Sequence, residues 1–182
     1  MNTFSGETSI ETTNKVIGAY SGILAGEYNT TKYNYGVVLS GYRNTAYNFC
    51  GVLCGSNNKA LGTKSSVICG QNNSTLGNNS SIPCGQNNFT YNDSELASGK
   101  YNKSTKNKYT YLATVFSIGN GKSTTVRHNA FEVKQNGDIY IPDTSTGVAD
   151  YEAPMIHLQQ KLIDLETTIT NLEARIAALE NK

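Results

Sequence analysis

Six glycines recur at almost constant spacing, at positions 26, 41, 55, 70, 85 and 99, with intervals of 15, 14, 15, 15 and 14 residues. Their settings are nearly interchangeable: "AGEYN", "SGYRN", "CGSNN", "CGQNN", "CGQNN" and "SGKYN". A period of this kind marks stacked structural units, each burying its faces on the units before and after it. Three residues before each glycine stands an apolar residue, Ile23, Val38, Val52, Val67, Ile82 or Leu96, and directly before it a small one, Ala25, Ser40, Cys54, Cys69, Cys84 or Ser98. Positions two apart share a strand face. The pattern therefore predicts a narrow core with one large and one small inward residue per rung, Cys54, Cys69 and Cys84 serving as apolar filler.

The glycine is expected to turn the corner at positive φ, where a residue without Cβ is at ease. Three residues later come Asn29, Asn44, Asn58, Asn73, Asn88 and Asn102. Asparagine tolerates the left-handed region and bonds nearby backbone, so it suits a turn. In register, the same side chains could also form an amide ladder. At roughly 3.3 Å per strand residue, such a rung has room for two short strands and two turns, with no broad core.

Only 37% of the residues are hydrophobic, which is low for an isolated globular core. The chain is therefore either partly disordered or buries apolar surface on copies of itself. A formal net charge of +1 gives no general attraction to nucleic acid or an anionic membrane. The N-terminal "MNTFSGETSIETTNKV" lacks a basic region followed by an apolar stretch, and no apolar run is long enough to span a bilayer. Synthesis in a cytoplasm is the expectation, with Cys50, Cys54, Cys69 and Cys84 reduced. Neither those cysteines nor His128 and His157 make a zinc-ligand spacing, so no metal or other cofactor is expected.

The stretch "SSVICGQNNSTLGNNSSIPCG" resembles the "NSVAIG"-type repeat of YadA-like head domains. These are trimeric left-handed parallel β-rolls of bacterial trimeric autotransporter adhesins that phage fibres have borrowed. The resemblance covers residues 16–103 and implies a left-handed roll and a trimer core shared by Ile23, Val38, Val52, Cys54, Val67, Cys69, Ile82, Cys84 and Leu96. Two departures stand out. Pro83 interrupts a strand position and removes a backbone donor, and cysteine occupies a place where the family usually has Ile or Val.

Beyond the repeat, "KYNKSTKNK" (100–108) carries four lysines and no acid, and reads as a solvated connector or as a collar for anionic groups. "KYTYLATVFSIGNG" is β-rich and ends at an expected glycine turn at Gly119 and Gly121. Runs at 130–133 and 138–141 flank Asn136-Gly137, a strong hairpin signal. Within the β-rich hairpin module expected over 104–145, "IGNG…RHNAFEVKQNGDIYI" resembles a module common in phage tail-fibre and receptor-binding proteins, placed there between a repeat shaft and a coiled coil or tip. "GNGKST" (119–124) is no phosphate loop, because the position five residues before its Gly-Lys is Phe116.

After a polar linker at 146–153, Pro154 is expected to open a helix through residue 182. Leu158, Leu162, Leu165, Ile169, Leu172, Ile176 and Leu179 follow one another at intervals of 4, 3, 4, 3, 4 and 3, an unbroken heptad seam. Ile at a with Leu at d leans toward a parallel dimer. "RIAALE", however, is similar to a trimerisation motif, which implies an interchain pair between Arg175 and Glu180 and, with the roll, a homotrimer.

The expected architecture is mainly β and fibrous: a trimeric parallel β-roll of 14–15-residue rungs, a small β-hairpin module and a C-terminal parallel α-helical coiled coil. Acids are sparse in the roll and no nucleophile–base pair presents itself, so no enzyme is expected. Tyr28, Tyr33, Tyr35, Tyr42 and Tyr47 form a candidate ligand surface, since exposed Tyr offers contact area at little entropic cost; covering seams between chains is the equal alternative. Together these point to a bacteriophage virion fibre, of head or tail, made in the host bacterium's cytoplasm. Its partners would be itself, other virion proteins met through residues 1–15, and a bacterial surface glycan or protein. A capsid decoration or connector without receptor binding, and a fragment of a trimeric autotransporter adhesin, are the alternatives.

Overall fold

A computed structural model describes residues 13–106, 110–142 and 155–180. The expected N-terminal tail falls almost wholly outside these residues, and the 146–153 linker falls entirely outside them.

The repeat builds a parallel β-solenoid. Its strands in chain order are β1 (Lys15–Val16), β2 (Gly22–Ile23), β3 (Thr30–Thr31), β4 (Val37–Val38), β5 (Thr45–Ala46) and β6 (Gly51–Val52). They continue with β7 (Lys59–Ala60), β8 (Ser66–Val67), β9 (Ser74–Thr75), β10 (Ser81–Ile82), β11 (Phe89–Thr90) and the longer β12 (Leu96–Lys100). Odd-numbered strands stack into one parallel sheet and even-numbered strands into a second, so each rung gives one short strand to each sheet. Ladder bonds such as Val37 N to Cys50 O at 2.9 Å and Thr45 N to Asn58 O at 2.8 Å tie consecutive rungs.

The interior is two side chains wide. Val38, Val52, Val67, Ile82 and Ala97 point in from the even sheet; Thr31, Ala46, Ala60, Thr75 and Thr90 point in from the odd sheet, all fully buried. The small inward residue of each rung thus comes from the opposite sheet and not from the cysteine column. Cys54 and Cys84 are exposed and Cys69 is half-buried. The reason is strand length: β6 ends at Val52 and the chain bends at residues 54 and 55, so two-residue alternation stops before it reaches the cysteine. Leu96 is likewise displaced from the inward column. It pairs with Ser81, and Ala97 takes the buried place equivalent to Ile82.

The glycines do turn corners at positive φ, for example +110° at Gly70, where an added Cβ would stand 2.1 Å from the Gly85 carbonyl oxygen. The expected role of asparagine is corrected. The left-handed residue is the one before it, Tyr28, Arg43, Asn57, Asn72, Asn87 or Tyr101, while Asn29, Asn44, Asn58, Asn73, Asn88 and Asn102 point inward and are fully buried.

Beyond β12 the even sheet continues. β13 (Thr114–Asn120) pairs parallel with β12, and β14 (Asn129–Lys134), β15 (Ile139–Pro142) and β16 (Met155–His157) add antiparallel strands. The β14–β15 hairpin turns through Asn136 and Gly137, the latter at φ +89°. Gly119 is not in a turn. It lies in β13, where a Cβ would meet the Asn102 backbone 2.6 Å away, and the chain reverses later, through bonds from Lys122 N and Ser123 N to Val126 O. Residues 155–157 are strand and α1 (Leu158–Glu180) starts after them, later than expected; Pro154 itself lies outside the described residues.

Candidate interaction surfaces

The solenoid's rungs are joined by an internal column of amides, and this column fixes which residues face outward. Asn44 Nδ2 donates to Gly55 O at 2.9 Å, Asn58 Nδ2 to Gly70 O at 2.8 Å and Asn73 Nδ2 to Gly85 O at 2.8 Å. Each Oδ1 accepts the backbone N–H of the next asparagine, as Asn44 N bonds Asn29 Oδ1 and Asn73 N bonds Asn58 Oδ1. The expected ladder thus exists, but it runs mainly from side chain to backbone. Asn14 is its first member, accepting from Asn29 N and donating to Gly26 O. Its signal was the 15-residue interval to Asn29, hidden because no glycine precedes it in register.

The ladder ends by closing the odd sheet. Asn102 Oδ1 accepts from Phe89 N at 2.7 Å and its Nδ2 donates to Phe89 O at 2.8 Å, occupying groups that a further strand would have used. The hairpin module is fastened to the same end by Arg127. Its Nη1 donates to Asn87 O at 2.7 Å and Asn102 O at 3.2 Å, and the guanidinium lies 4.3 Å from the Phe89 ring centroid. Burial lowers the Arg127 pKa below its ordinary value.

At the second corner a column of small polar groups points inward. Ser65 Oγ lies 2.7 Å from Thr75 Oγ1 and Ser80 Oγ 2.8 Å from Thr90 Oγ1. In the last rung Glu95 takes this place. Its Oε2 accepts from Tyr91 N, Asn92 N, Asn92 Nδ2 and Ser104 Oγ, and its Oε1 has no hydrogen-bond partner. Burial raises the carboxyl above its ordinary pKa, and the four hydrogen bonds pull it down by less.

Three kinds of outer surface result. The first is aromatic and lies along the early rungs. Tyr35 stacks between Tyr20 (5.2 Å, 10° interplanar) and Phe49 (4.6 Å, 15°), all three at left-handed corner positions. Tyr28 meets Tyr42 edge-on with Arg43 over both rings, and Tyr33 meets Tyr47 edge-on with Lys32 over both. The five tyrosines of the candidate ligand surface are therefore brought together as pairs and stacks along the roll. Later rungs place Lys64, Asn79 and Ser94 at the corner where Tyr20, Tyr35 and Phe49 stood.

The second surface is the outer face of the even sheet. Leu24, Leu39, Leu53 and Ile68 stand one per rung, 62%, 41%, 39% and 41% exposed, with Pro83 next in the column. Beside them run Gly22, Val37, Gly51, Ser66, Ser81 and Leu96, so neither column carries a charge. Cys54, Cys69 and Cys84 line its rim. Of the residues expected in a shared core, Val38, Val52, Val67 and Ile82 lie inside the single chain, Ile23 packs partly against them, and Leu96 faces outward.

The third surface is α1. Leu162, Leu165, Ile169, Leu172, Ile176 and Leu179 of the heptad seam are 48–70% exposed, and Arg175 and Glu180 are exposed too. Leu158 begins the helix; its side chain lies outside the described residues.

Among the described residues no group of His, Cys, Asp and Glu is placed to hold a metal, and no helix is long and apolar enough to cross a membrane. The class defined by this geometry is a parallel β-solenoid with an internal asparagine ladder, a β-hairpin extension and one C-terminal helix. No family model, curated protein or solved structure matches the chain.

Proposed function

We propose that this chain is a structural fibre protein of a bacteriophage particle. It assembles as a homotrimer through the uncharged outer face of the even sheet and a parallel coiled coil of α1, and holds recognition surfaces away from the particle. The observation that carries this reading is a pair of apolar faces on one chain, Leu24–Leu39–Leu53–Ile68 and the Leu162–Leu179 seam, each left exposed among the described residues. Exposed apolar columns of this extent mark association surfaces. A parallel coiled coil would set identical rungs at equal height, so that each leucine meets its counterparts. The resemblance of "RIAALE" to a trimerisation motif selects three copies, with Arg175 reaching Glu180 of a neighbour. The inner contact is then the Leu/Ile column, the thiols sit at its edge, and Val38, Val52, Val67 and Ile82 support it from within.

Display, and not catalysis, is the mechanism. The early rungs carry the aromatic pairs with Arg43 and Lys32, and three copies would give avidity to a weak bacterial surface ligand such as a glycan. Purified full-length protein should bind host cells, and Tyr28→Ala with Tyr42→Ala should abolish that binding while leaving assembly intact. Binding to virion proteins alone would instead favour a capsid decoration or connector. A reading frame that continues into an outer-membrane β-barrel segment would favour the autotransporter alternative. Deleting residues 1–15 should remove the protein from particles; unchanged incorporation would move the attachment point elsewhere.

A further inference from the structure

Cys54, Cys69 and Cys84 occupy the same place in three successive rungs, 15 residues apart. Their backbones are joined in parallel register, Cys54 N to Ile68 O at 3.0 Å and Cys69 N to Pro83 O at 3.2 Å. Each thiol leans toward the next: Cys54 Sγ lies 3.4 Å from Ile68 O, Cys69 Sγ 3.4 Å from Pro83 O, and Cys84 Sγ 4.0 Å from Ser98 Oγ. Neighbouring strands stand about 4.8 Å apart, inside the Cα separation of roughly 4.4–6.8 Å that a disulfide spans. Two rungs, at about 9.6 Å, exceed it.

From this placement we infer that the thiol column is a modification site, in which a small-molecule disulfide oxidises Cys69 and one of its two neighbours to a cross-rung disulfide within a single chain. Exposed Cys54 or Cys84 meets the oxidant first. Its thiolate attacks one sulfur of glutathione disulfide, forming a mixed disulfide and expelling one glutathione thiolate. The Cys69 thiolate then attacks the protein sulfur of that mixed disulfide and expels the second glutathione. Two protein thiols and one glutathione disulfide become one protein disulfide and two glutathione thiols, the protons passing to the leaving thiolates. Burial and the flanking sulfurs of Cys54 and Cys84 raise the Cys69 pKa, which leaves the first attack to its exposed neighbours. The outcome is a staple across two rungs with one column thiol left over. Cys50 is buried on the other side of the rung, donating to Gly62 O, and takes no part.

The inference needs only one chain and does not depend on how many copies assemble. The test is to treat native, fully reduced full-length protein with glutathione disulfide, block the remaining thiols after denaturation, and map the peptides by mass. Expected is a disulfide linking Cys69 to Cys54 or Cys84, with buried Cys50 still a free thiol and the exposed column thiol left over either free or capped by glutathione. Cys54→Ser should direct the whole link to Cys69–Cys84, and Cys69→Ser should yield glutathione adducts and no protein disulfide. A Cys54–Cys84 link, links only between chains, or four thiols left untouched in the native protein would each overturn it.

Discussion

Asn58 donates its side-chain amide to the carbonyl of Gly70 at 2.8 Å, binding a buried polar group of one rung to the glycine corner of the next. The same residue accepts the backbone N–H of Asn73 at 3.0 Å and donates to Cys54 O of its own rung at 3.2 Å. One fully buried side chain therefore satisfies three backbone groups across two rungs.

Asn58→Ala should be among the most damaging polar-to-alanine changes in the roll. It leaves the Asn73 N–H without its partner in a buried column, at about 1–3 kcal/mol for a group left unsatisfied, and leaves the Gly70 carbonyl with the Ser56 N–H alone. Asn57→Ala, one residue away, loses only the ease of a left-handed conformation at φ +55° and should cost about 1–2 kcal/mol. Denaturant unfolding of the two variants should rank them in that order.

Gly70 and Gly137 separate steric from conformational cost. Both have positive φ, but a Cβ at Gly70 would meet Gly85 O at 2.1 Å and Asn73 Nδ2 at 2.7 Å, whereas nothing lies within 4 Å of one at Gly137. Gly137→Ala should lower stability by about 1 kcal/mol. Gly70→Ala should do far worse, because two backbones must part and the amide column with them. Thermal unfolding of the pair checks this.

Arg127 holds the hairpin module to the roll through two carbonyls and a ring face. Arg127→Lys keeps the charge but loses the planar stack on Phe89, so it should behave more like Arg127→Ala than like the native residue. Hydrogen exchange should quicken at Gly121 and His128, whose amides bond to Lys100 O and Tyr101 O across that junction.

Glu95 gives the roll a pH dependence of defined sign. Its folded pKa lies above the unfolded value of about 4.3, so the native state holds the proton more tightly. Stability should be greatest below that unfolded value, fall as pH rises from there through the raised folded value, and level off above it. Glu95→Gln keeps an oxygen for the four donors and removes the charge, and should flatten this part of the profile. A persisting fall in the variant's unfolding midpoint as pH rises above the unfolded value would assign the effect to another group.

Much of this was legible in sequence because the period is a physical constraint. Stacked rungs repeat the same corner, and the glycine corner tolerates no Cβ. Three local departures explain the differences, the first being that strands of two residues are too short for alternation to extend beyond them. Cys54, counted as two places after an inward Val52, had already entered the bend. Leu96 stands three residues before Gly99 as the inward residues of other rungs stand before theirs, but this rung is one residue short between Ala97 and Gly99, and pairing with Ser81 fixes the true register. Asparagine's conformational tolerance suits a turn, yet its capacity to satisfy several backbone groups matters more inside. The outer faces were harder to assign, since the tyrosine stacks depend on side chains from rungs 14 or 15 residues apart meeting at one corner.

The central claim is assembly of three copies through the leucine column and the helix seam, and the mass of the full-length protein in solution tests it most directly. Light scattering after size exclusion, in reductant, should give three times the 19.7 kDa chain mass. Ile169→Lys and Leu53→Lys should each shift the population toward monomer. A native protein that runs as a monomer would contradict the shared interface, and with it the fibre.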